Sequence, residues 1–217
     1  TSVPLSAAEP PRHWLHASAL PPGAIGSQRL LRGGPLLGCP QPTEVIAPAG
    51  LVLSADSGGG YTRSGSDRMR QTMRIGSLYR FRVEGLPSQP GTPVFPTVEL
   101  IDRLYPPPGL AERFPLPIHL SADDLRLAAE GALVTRVIYV EDPRTAAPVA
   151  QGDELEWFEA RGGDDPLVIA GELGRPVAIL RIGARDTAGL SRGGFTPVAG
   201  AGAARIDAAV RPAAAGR

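Results

Sequence analysis

The sequence contains neither lysine nor asparagine, so all of its 22 basic residues are arginines. Without asparagine, these residues hold no acceptor site for N-linked glycosylation. A GC-rich coding sequence explains this bias without any selection on the protein. The alternative is selection for a durable surface, because arginine forms bidentate ion pairs with carboxylates and asparagine is a thermolabile side chain.

Cysteine is nearly absent as well. Cys39 is the only one, which excludes an intramolecular disulfide framework. Its neighbours in PLLGCPQP include no histidine and no helix start that would activate a thiol. We therefore interpret Cys39 as a small buried apolar residue, or as a thiol that pairs between molecules, and not as a nucleophile.

The formal net charge is zero and the two signs are interspersed, so the basic patch typical of nucleic-acid-binding proteins is missing. No apolar run approaches the roughly 20 residues that cross a bilayer, which predicts a protein that does not span a membrane. The sequence begins at Thr1 without methionine. Such a start is typical of a processed, exported chain and equally of a chain that has lost its initiator methionine.

Proline and glycine are abundant instead, with 24 and 27 residues. Both interrupt regular elements, and both recur every few residues near the start of the chain. We predict an extended Pro/Gly-rich arm at residues 1–42, a β-rich globular domain at 43–185 and an Ala/Gly-rich arm at 186–217. Within the first arm, only short pieces such as residues 17–20 are expected to be regular.

Apolar runs predict several short strands in the central domain. TEVIA (43–47) and LVLSA (51–55) indicate two strands around a tight turn, and the Gly/Ser-rich residues after them indicate a surface loop. In SLYRFRV, Tyr79, Phe81 and Val83 alternate with arginines, which is typical of a half-buried antiparallel strand.

Three further segments are predicted to be strands. Residues 94–104 form one in which Pro96 excludes a central ladder position unless a bulge lies there. The β-branched residues 134–140 predict a core strand, and residues 175–185 predict a last strand. Before the core strand, Pro106–Pro108 predict a stiff extended crossing segment.

Two short helices are predicted from their boundary residues. Ser121 is the expected N-cap of the first helix, with Asp123 and Asp124 in its first turn and a stop at Gly131. Asp164 or Asp165 caps the second, which has Pro166 at its first position and ends at Gly174. Together with the strands, they predict a mainly β fold, an antiparallel or mixed β-sandwich, with a small α+β sheet as the alternative.

No segment predicts catalysis, a cofactor or a metal ion. His13 and His16 are three residues apart, but the only other histidine, His119, is distant and no cysteine or acidic cluster completes a metal shell. The Gly-rich DSGGGYTRSG lacks the Lys-Ser/Thr pair of a phosphate-binding loop. Helix capping accounts for the paired aspartates. The sequence therefore predicts a non-enzymatic protein.

The run from Gly76 to Arg185, above all PTVELIDRLYPPPG and VTRVIYVEDP, resembles a group of uncharacterised exported proteins of planctomycete-type bacteria. The resemblance covers about half of the chain and does not include the tail after Arg185. It implies an envelope or extracellular setting, and it implies no catalytic residues because that group has no assigned activity.

Our leading hypothesis is a structural subunit of an extracellular or cell-surface assembly, such as a filament. Arms without hydrophobic periodicity gain order by packing on a surface, here that of another copy or another envelope protein. The rival is that the arms wrap their own domain. The expected assembly contacts are Trp14, Leu15, Leu20, Leu30, Leu31, Cys39 and Phe195.

The alternative function is an envelope-associated binding module, for carbohydrate or another ligand. β-Sandwiches often carry such sites, and aromatic side chains provide stacking surfaces for them. The candidates for stacking are Trp14, Tyr61, Tyr105 and Trp157.

Overall fold

A computed structural model describes residues 20, 22–31, 39–58, 60–142, 144 and 164–185, and the backbone of residues 157–159 and 204–210. The fold is mainly β, as the strand patterns predict, and has two sheets. It contains three α-helices where the sequence predicts two. The helices are α1 (Ala24–Leu31), α2 (Ala122–Ala129) and α3 (Pro166–Leu173), and a short 3-10 helix spans Ala111–Arg113.

Eleven strands are present among the described residues. They are β1 (Pro40–Ile46), β2 (Val52–Asp56), β3 (Tyr61–Arg63), β4 (Arg68–Arg74), β5 (Leu78–Glu84), β6 (Phe95–Leu100), β7 (Leu116–His119), β8 (Val134–Glu141), β9 (Trp157–Glu159), β10 (Gly174–Gly183) and β11 (Ala204–Val210). The small sheet has the order β4-β1-β7, and the large sheet has the order β3-β2-β5-β6-β10-β8-β11-β9. Pairing is antiparallel except between β1 and β7 and between β8 and β11.

The central strands of the large sheet are covered on both faces. One face packs on the small sheet and α2 around a core that includes Phe81, Leu100, Ile118, Leu125 and Leu180. The opposite face packs on α1 and α3 in a second apolar cluster, which comprises Ile25, Ile101, Val137, Tyr139, Leu167, Ala170 and Ile179. Strands β6, β8 and β10 are therefore rich in apolar residues on both sides, as in fully buried strands.

Several local predictions are confirmed. Phe81 and Val83 of β5 are buried, and Tyr79 packs on the same core. Ser121 caps α2 by accepting a hydrogen bond from the Asp124 amide at 3.1 Å. Asp165 caps α3 in the same way, with the Leu167 amide at 2.9 Å.

Other local predictions are wrong. β1 and β2 do not form a hairpin, because β1 pairs with β4 and β7 whereas β2 pairs with β3 and β5. The expected Gly/Ser-rich loop contains β3 and β4. Most of their residues are polar and exposed, so a search for alternating apolar residues does not detect these strands. Residues 24–31, in the predicted arm, form a helix of which only Ile25 and Gly26 are buried.

Pro96 occupies a central strand without a bulge. The pairing of β6 with β5 runs from Leu78 opposite Glu99 to Arg80 opposite Thr97, and it resumes in the same register at the bridge between Val83 and Val94. The ladder is interrupted between these points, where Pro96 has no amide hydrogen to donate. Pairing is lost only between β6 and β5, because β10 pairs with β6 along its whole length. The sheet tolerates the proline for this reason.

A buried ion pair joins the N-terminal segment to the large sheet. Glu99 of β6 is fully buried and accepts from the Arg181 guanidinium of β10 at 3.1 Å. The other Glu99 oxygen accepts from the Gly26 amide at 2.8 Å, and Arg181 donates to the Leu20 carbonyl at 3.1 Å. Burial is the strongest influence on Arg181 and lowers its pKa, although Glu99 opposes that effect. The segment containing Leu20 and α1 therefore satisfies groups that would otherwise be buried without partners.

Helix α1 approaches the sheet so closely that Gly26 has no room for a side chain. A Cβ on Gly26 would lie 2.8 Å from the Gly76 Cα and 3.1 Å from the Leu100 carbonyl oxygen. Gly76 has a φ of 81° and is itself in contact with Leu30. Both glycines are required by this contact between α1 and the turn from β4 to β5.

We expect Gly26→Ala to destabilise the protein, because backbone atoms must move to admit the methyl group. The matched control is Gly171→Ala in α3, where a Cβ meets nothing within 4 Å. That substitution is expected to stabilise the protein by about 0.5–1 kcal/mol, because alanine has the higher helix propensity. Urea unfolding followed by circular dichroism measures both, and equal effects of the two substitutions would contradict the close packing of α1.

Arg181→Met is expected to lower the free energy of unfolding by about 3–5 kcal/mol, since it leaves the Glu99 carboxylate buried without its cation. The control is Arg126→Met, which removes an exposed ion pair with Glu130 and should change the free energy by less than about 1 kcal/mol. Arg181→Met combined with Glu99→Leu should recover a large part of the loss. A loss below that of the control would show that Glu99 is not held as a buried anion.

Candidate functional site

A group of arginines surrounds one carboxylate at an edge of the second apolar cluster. Asp102 and Arg103 follow β6, Arg175 is the second residue of β10, and Arg29 lies in the last turn of α1. We call Arg29, Arg103 and Arg175, together with Asp102 and Tyr105, the arginine cluster. Its members come from three separate parts of the chain.

The chain turn after β6 places these side chains. The amides of Ile101 and Asp102 both donate to the Val177 carbonyl, at 3.0 and 3.1 Å, and the regular ladder between β6 and β10 ends there. The Asp102 carboxylate then accepts from the Arg103 amide at 2.8 Å. Gln41 fixes the next residue, because its Oε1 accepts from the Leu104 amide at 2.8 Å.

Asp102 is the only carboxylate that pairs with the cluster in the described part of the chain. It is 7% exposed, and its Oδ2 lies 2.8 Å from Arg175 Nη1, which also donates to the Arg103 carbonyl at 2.9 Å. Burial lowers the pKa of Arg29; Asp102 opposes this effect and the positive charge of Arg175 reinforces it. Asp102 therefore pairs directly with Arg175 and also interacts electrostatically with Arg29.

Tyr105 is the exposed part of the cluster. Its side chain is 62% exposed, and its ring lies 4.5 Å from the guanidinium carbon of Arg103 and 5.0 Å from that of Arg175. Both distances are within cation–π range. The hydrogen bond between Arg103 and Tyr105 is the main cause of a raised Arg103 pKa. The two guanidiniums thus hold the tyrosine ring in a defined position at the surface.

Cys39 borders this cluster. Its Sγ accepts a hydrogen bond from Arg103 Nη1 at 3.0 Å, and the residue is partly buried against the main core. The sequence around Cys39 shows no cation, because Arg103 is 64 residues away in the chain. A local sequence pattern does not show contacts between distant segments. Sequence analysis therefore predicts neither the contact between Cys39 and Arg103 nor the arginine cluster.

The predicted assembly contacts lie in different environments. Leu20 packs on the second apolar cluster, and Leu30 and Cys39 pack on the main core. Leu31 is 85% exposed. Trp14, Leu15 and Phe195 lie outside the described residues. The described part of the N-terminal arm therefore packs mainly on its own domain.

The predicted stacking residues do not form a common surface in the described structure. Tyr61 packs against Phe95 with ring centroids 6.0 Å apart, while Tyr105 is in the arginine cluster. The side chains of Trp14 and Trp157 lie outside the described residues. Tyr105 is thus the candidate that the structure places at the surface beside polar groups.

The two aspartates at the start of α2 differ. Asp123 is exposed, whereas Asp124 is fully buried and forms an ion pair with Arg136 of β8. Arg136 also donates to the Ser121 hydroxyl at 3.2 Å. The predicted capping role of this turn is confirmed for Ser121, and Asp124 additionally fixes α2 on the sheet.

Two features of the described residues bear on metal binding and small-molecule binding. No group of three or more histidine, cysteine or acidic side chains is placed to hold a metal ion there. His119 lies in β7, and His13 and His16 are outside the described residues. A cleft between β1, β4 and the 3-10 helix has a volume of about 180 Å³, below the roughly 300–1,000 Å³ of typical small-molecule sites.

No protein-family model, curated protein or solved structure matches this chain. Among the described residues, no helix combines the length and the apolar character that a transmembrane span requires.

Asp102→Asn is expected to destabilise the protein by about 1–2 kcal/mol, because it removes the anion that pairs with Arg175 and that opposes the cost of burying Arg29. The loss is moderate because Arg175 is partly screened by solvent. The loss should shrink in 1 M NaCl, where repulsion between the arginines is screened. Urea unfolding at low and high salt measures the effect, with Glu112→Gln at an exposed site as the control. A loss that does not depend on salt would contradict a repulsive cluster.

Proposed function

We propose that this chain is a non-enzymatic structural subunit of an extracellular or cell-surface assembly, in which strand β11 of one copy completes the large sheet of another. The observation that carries the proposal is the position of β11. It comes from the predicted C-terminal arm and pairs in parallel with β8, from Ala204 opposite Thr135 to Val210 opposite Val140.

Strand β8 requires a partner on that side. Its residues Val134, Val137, Ile138 and Tyr139 are buried, so β8 has the composition of an interior strand. Without β11, it would be a long apolar edge with unpaired backbone groups, and such edges recruit other chains. A strand from the arm, whether its own or a neighbour's, satisfies this requirement.

The length of the connection supports exchange between copies. Ile182 at the end of β10 and Ala204 at the start of β11 lie opposite Val134 and Thr135, on either side of β8. Those ends are about two strand spacings, or about 10 Å, apart. The roughly twenty residues that join them could span more than about 60 Å when extended. The same strand pairs can therefore form within one chain or between two.

The other sheet edges favour this route over edge-to-edge association. β3 and β9 have three residues each, and β7 has four, including Pro117. β4 is longer, but its outward positions include Arg68, Arg70 and Arg74, and charged side chains discourage strand pairing. The N-terminal segment is fixed on the large sheet by Leu20 and by the hydrogen bond from the Gly26 amide to Glu99. We therefore assign the exchange to the C-terminal strand.

Reciprocal exchange gives a closed dimer, and head-to-tail exchange gives a filament. The extracellular setting rests on the resemblance of Gly76–Arg185 to exported proteins. The assignment as non-enzymatic rests on the sequence, in which no segment predicts catalysis.

The test uses two full-length variants in a Cys39→Ser background, one with Thr135→Cys and one with Ala204→Cys. They are unfolded together in urea, refolded as a mixture and treated with a short bismaleimide. We expect a covalent product of twice the chain mass, because these positions are opposite each other in the register of β8 and β11. Light scattering of the untreated protein should give a mass above that of one chain.

The matched control replaces Thr135→Cys with Glu112→Cys, at an exposed position in the 3-10 helix, and should give little product. A chain that carries both Thr135→Cys and Ala204→Cys tests the intramolecular case. Cross-linking only within that doubly substituted chain, together with a monomeric mass at all concentrations, would overturn the proposal.

A further inference from the structure

We infer that the arginine cluster is a binding site for the carboxylate of an acidic sugar residue, with Tyr105 packing against the sugar ring. This inference is separate from strand exchange, because the cluster is built from α1, the segment after β6 and the start of β10. It deepens the binding-module alternative by naming one site and one class of ligand.

The cluster carries an excess of positive charge. Asp102 uses one oxygen for Arg175 and the other for the Arg103 amide. Within the described ranges, no carboxylate pairs with the guanidinium of Arg29 or of Arg103. The cluster therefore holds more positive than negative charge at a place where part of that charge is removed from water. An external anion would correct this imbalance.

The shapes of the guanidinium groups and of the tyrosine ring suit a carboxylate carried by a sugar. A guanidinium presents its donors in a planar fork that matches the two oxygens of a carboxylate. The two guanidiniums within 5.0 Å of the Tyr105 ring centre already hold this ring in place. Binding would then cost little side-chain entropy, because the aromatic surface is ordered before the ligand arrives.

The backbone after Tyr105 limits the type of ligand. Pro106–Pro108 directly follow Tyr105 and lack amide hydrogens, so this segment cannot recruit a peptide as an added strand. Recognition must come from side chains. A pyranose carboxylate offers an oxyanion to the arginines and an apolar C–H face to the exposed tyrosine, an amphipathic pairing suited to tyrosine.

The experiment is isothermal titration of the full-length protein with trigalacturonate, with neutral galactotriose and inorganic phosphate as comparison ligands. We expect heat of binding with trigalacturonate and none with galactotriose, and weaker affinity as NaCl rises. Arg175→Gln should weaken binding about ten-fold or more, because a charge-assisted hydrogen bond is lost.

Tyr105→Leu keeps the fold intact because the side chain is exposed, and it should also weaken trigalacturonate binding several-fold without affecting any binding of phosphate. Arg126→Gln, on the exposed face of α2, is the control and should leave the affinity unchanged. No binding by the unsubstituted protein would overturn the inference. Binding that is unaffected by Tyr105→Leu, or that is equal for phosphate and trigalacturonate, would overturn the assignment to a sugar acid.

Discussion

The ion pair between Glu99 and Arg181 determines how the N-terminal segment must lie. Two charged groups on neighbouring central strands are fully or almost fully buried, and each has hydrogen-bonding capacity that its partner alone does not use. The Gly26 amide and the Leu20 carbonyl supply the remaining bonds. A buried pair of this kind contributes less to net stability than to selecting one arrangement, here the docking of α1.

The opposite face of the sheet follows the same rule. Asp124 of α2 pairs with Arg136 of β8 beneath the helix, so a helix on each side of the large sheet is positioned by a buried charge. Arginine suits these positions because its planar group satisfies several acceptors at once. The arginine cluster differs from both pairs, because there the cations outnumber the anion. The proposed binding site rests on this excess of positive charge.

The sequence predicts individual helices and strands better than it predicts which residues contact each other across the fold. The alternation in β5, the β-branched run of β8 and the caps Ser121 and Asp165 are local signals, and the structure agrees with them. Glu99 and Arg181 look like ordinary polar positions in their strands, because only the register between β6 and β10 brings them together. The neighbours of Cys39 and Tyr105 likewise depend on contacts across the chain. For α1, the single buried apolar side chain of Ile25 gives too weak a period to predict.

The position of β10 has a consequence for the order in which the protein can form. β6 and β8 are both made earlier than β10, yet they are joined only through it, because β10 lies between them in the large sheet. During synthesis, the apolar strands β6 and β8 therefore have an unpaired edge until about residue 183 has left the ribosome. The domain is thus expected to depend on protection from premature association while it is being made.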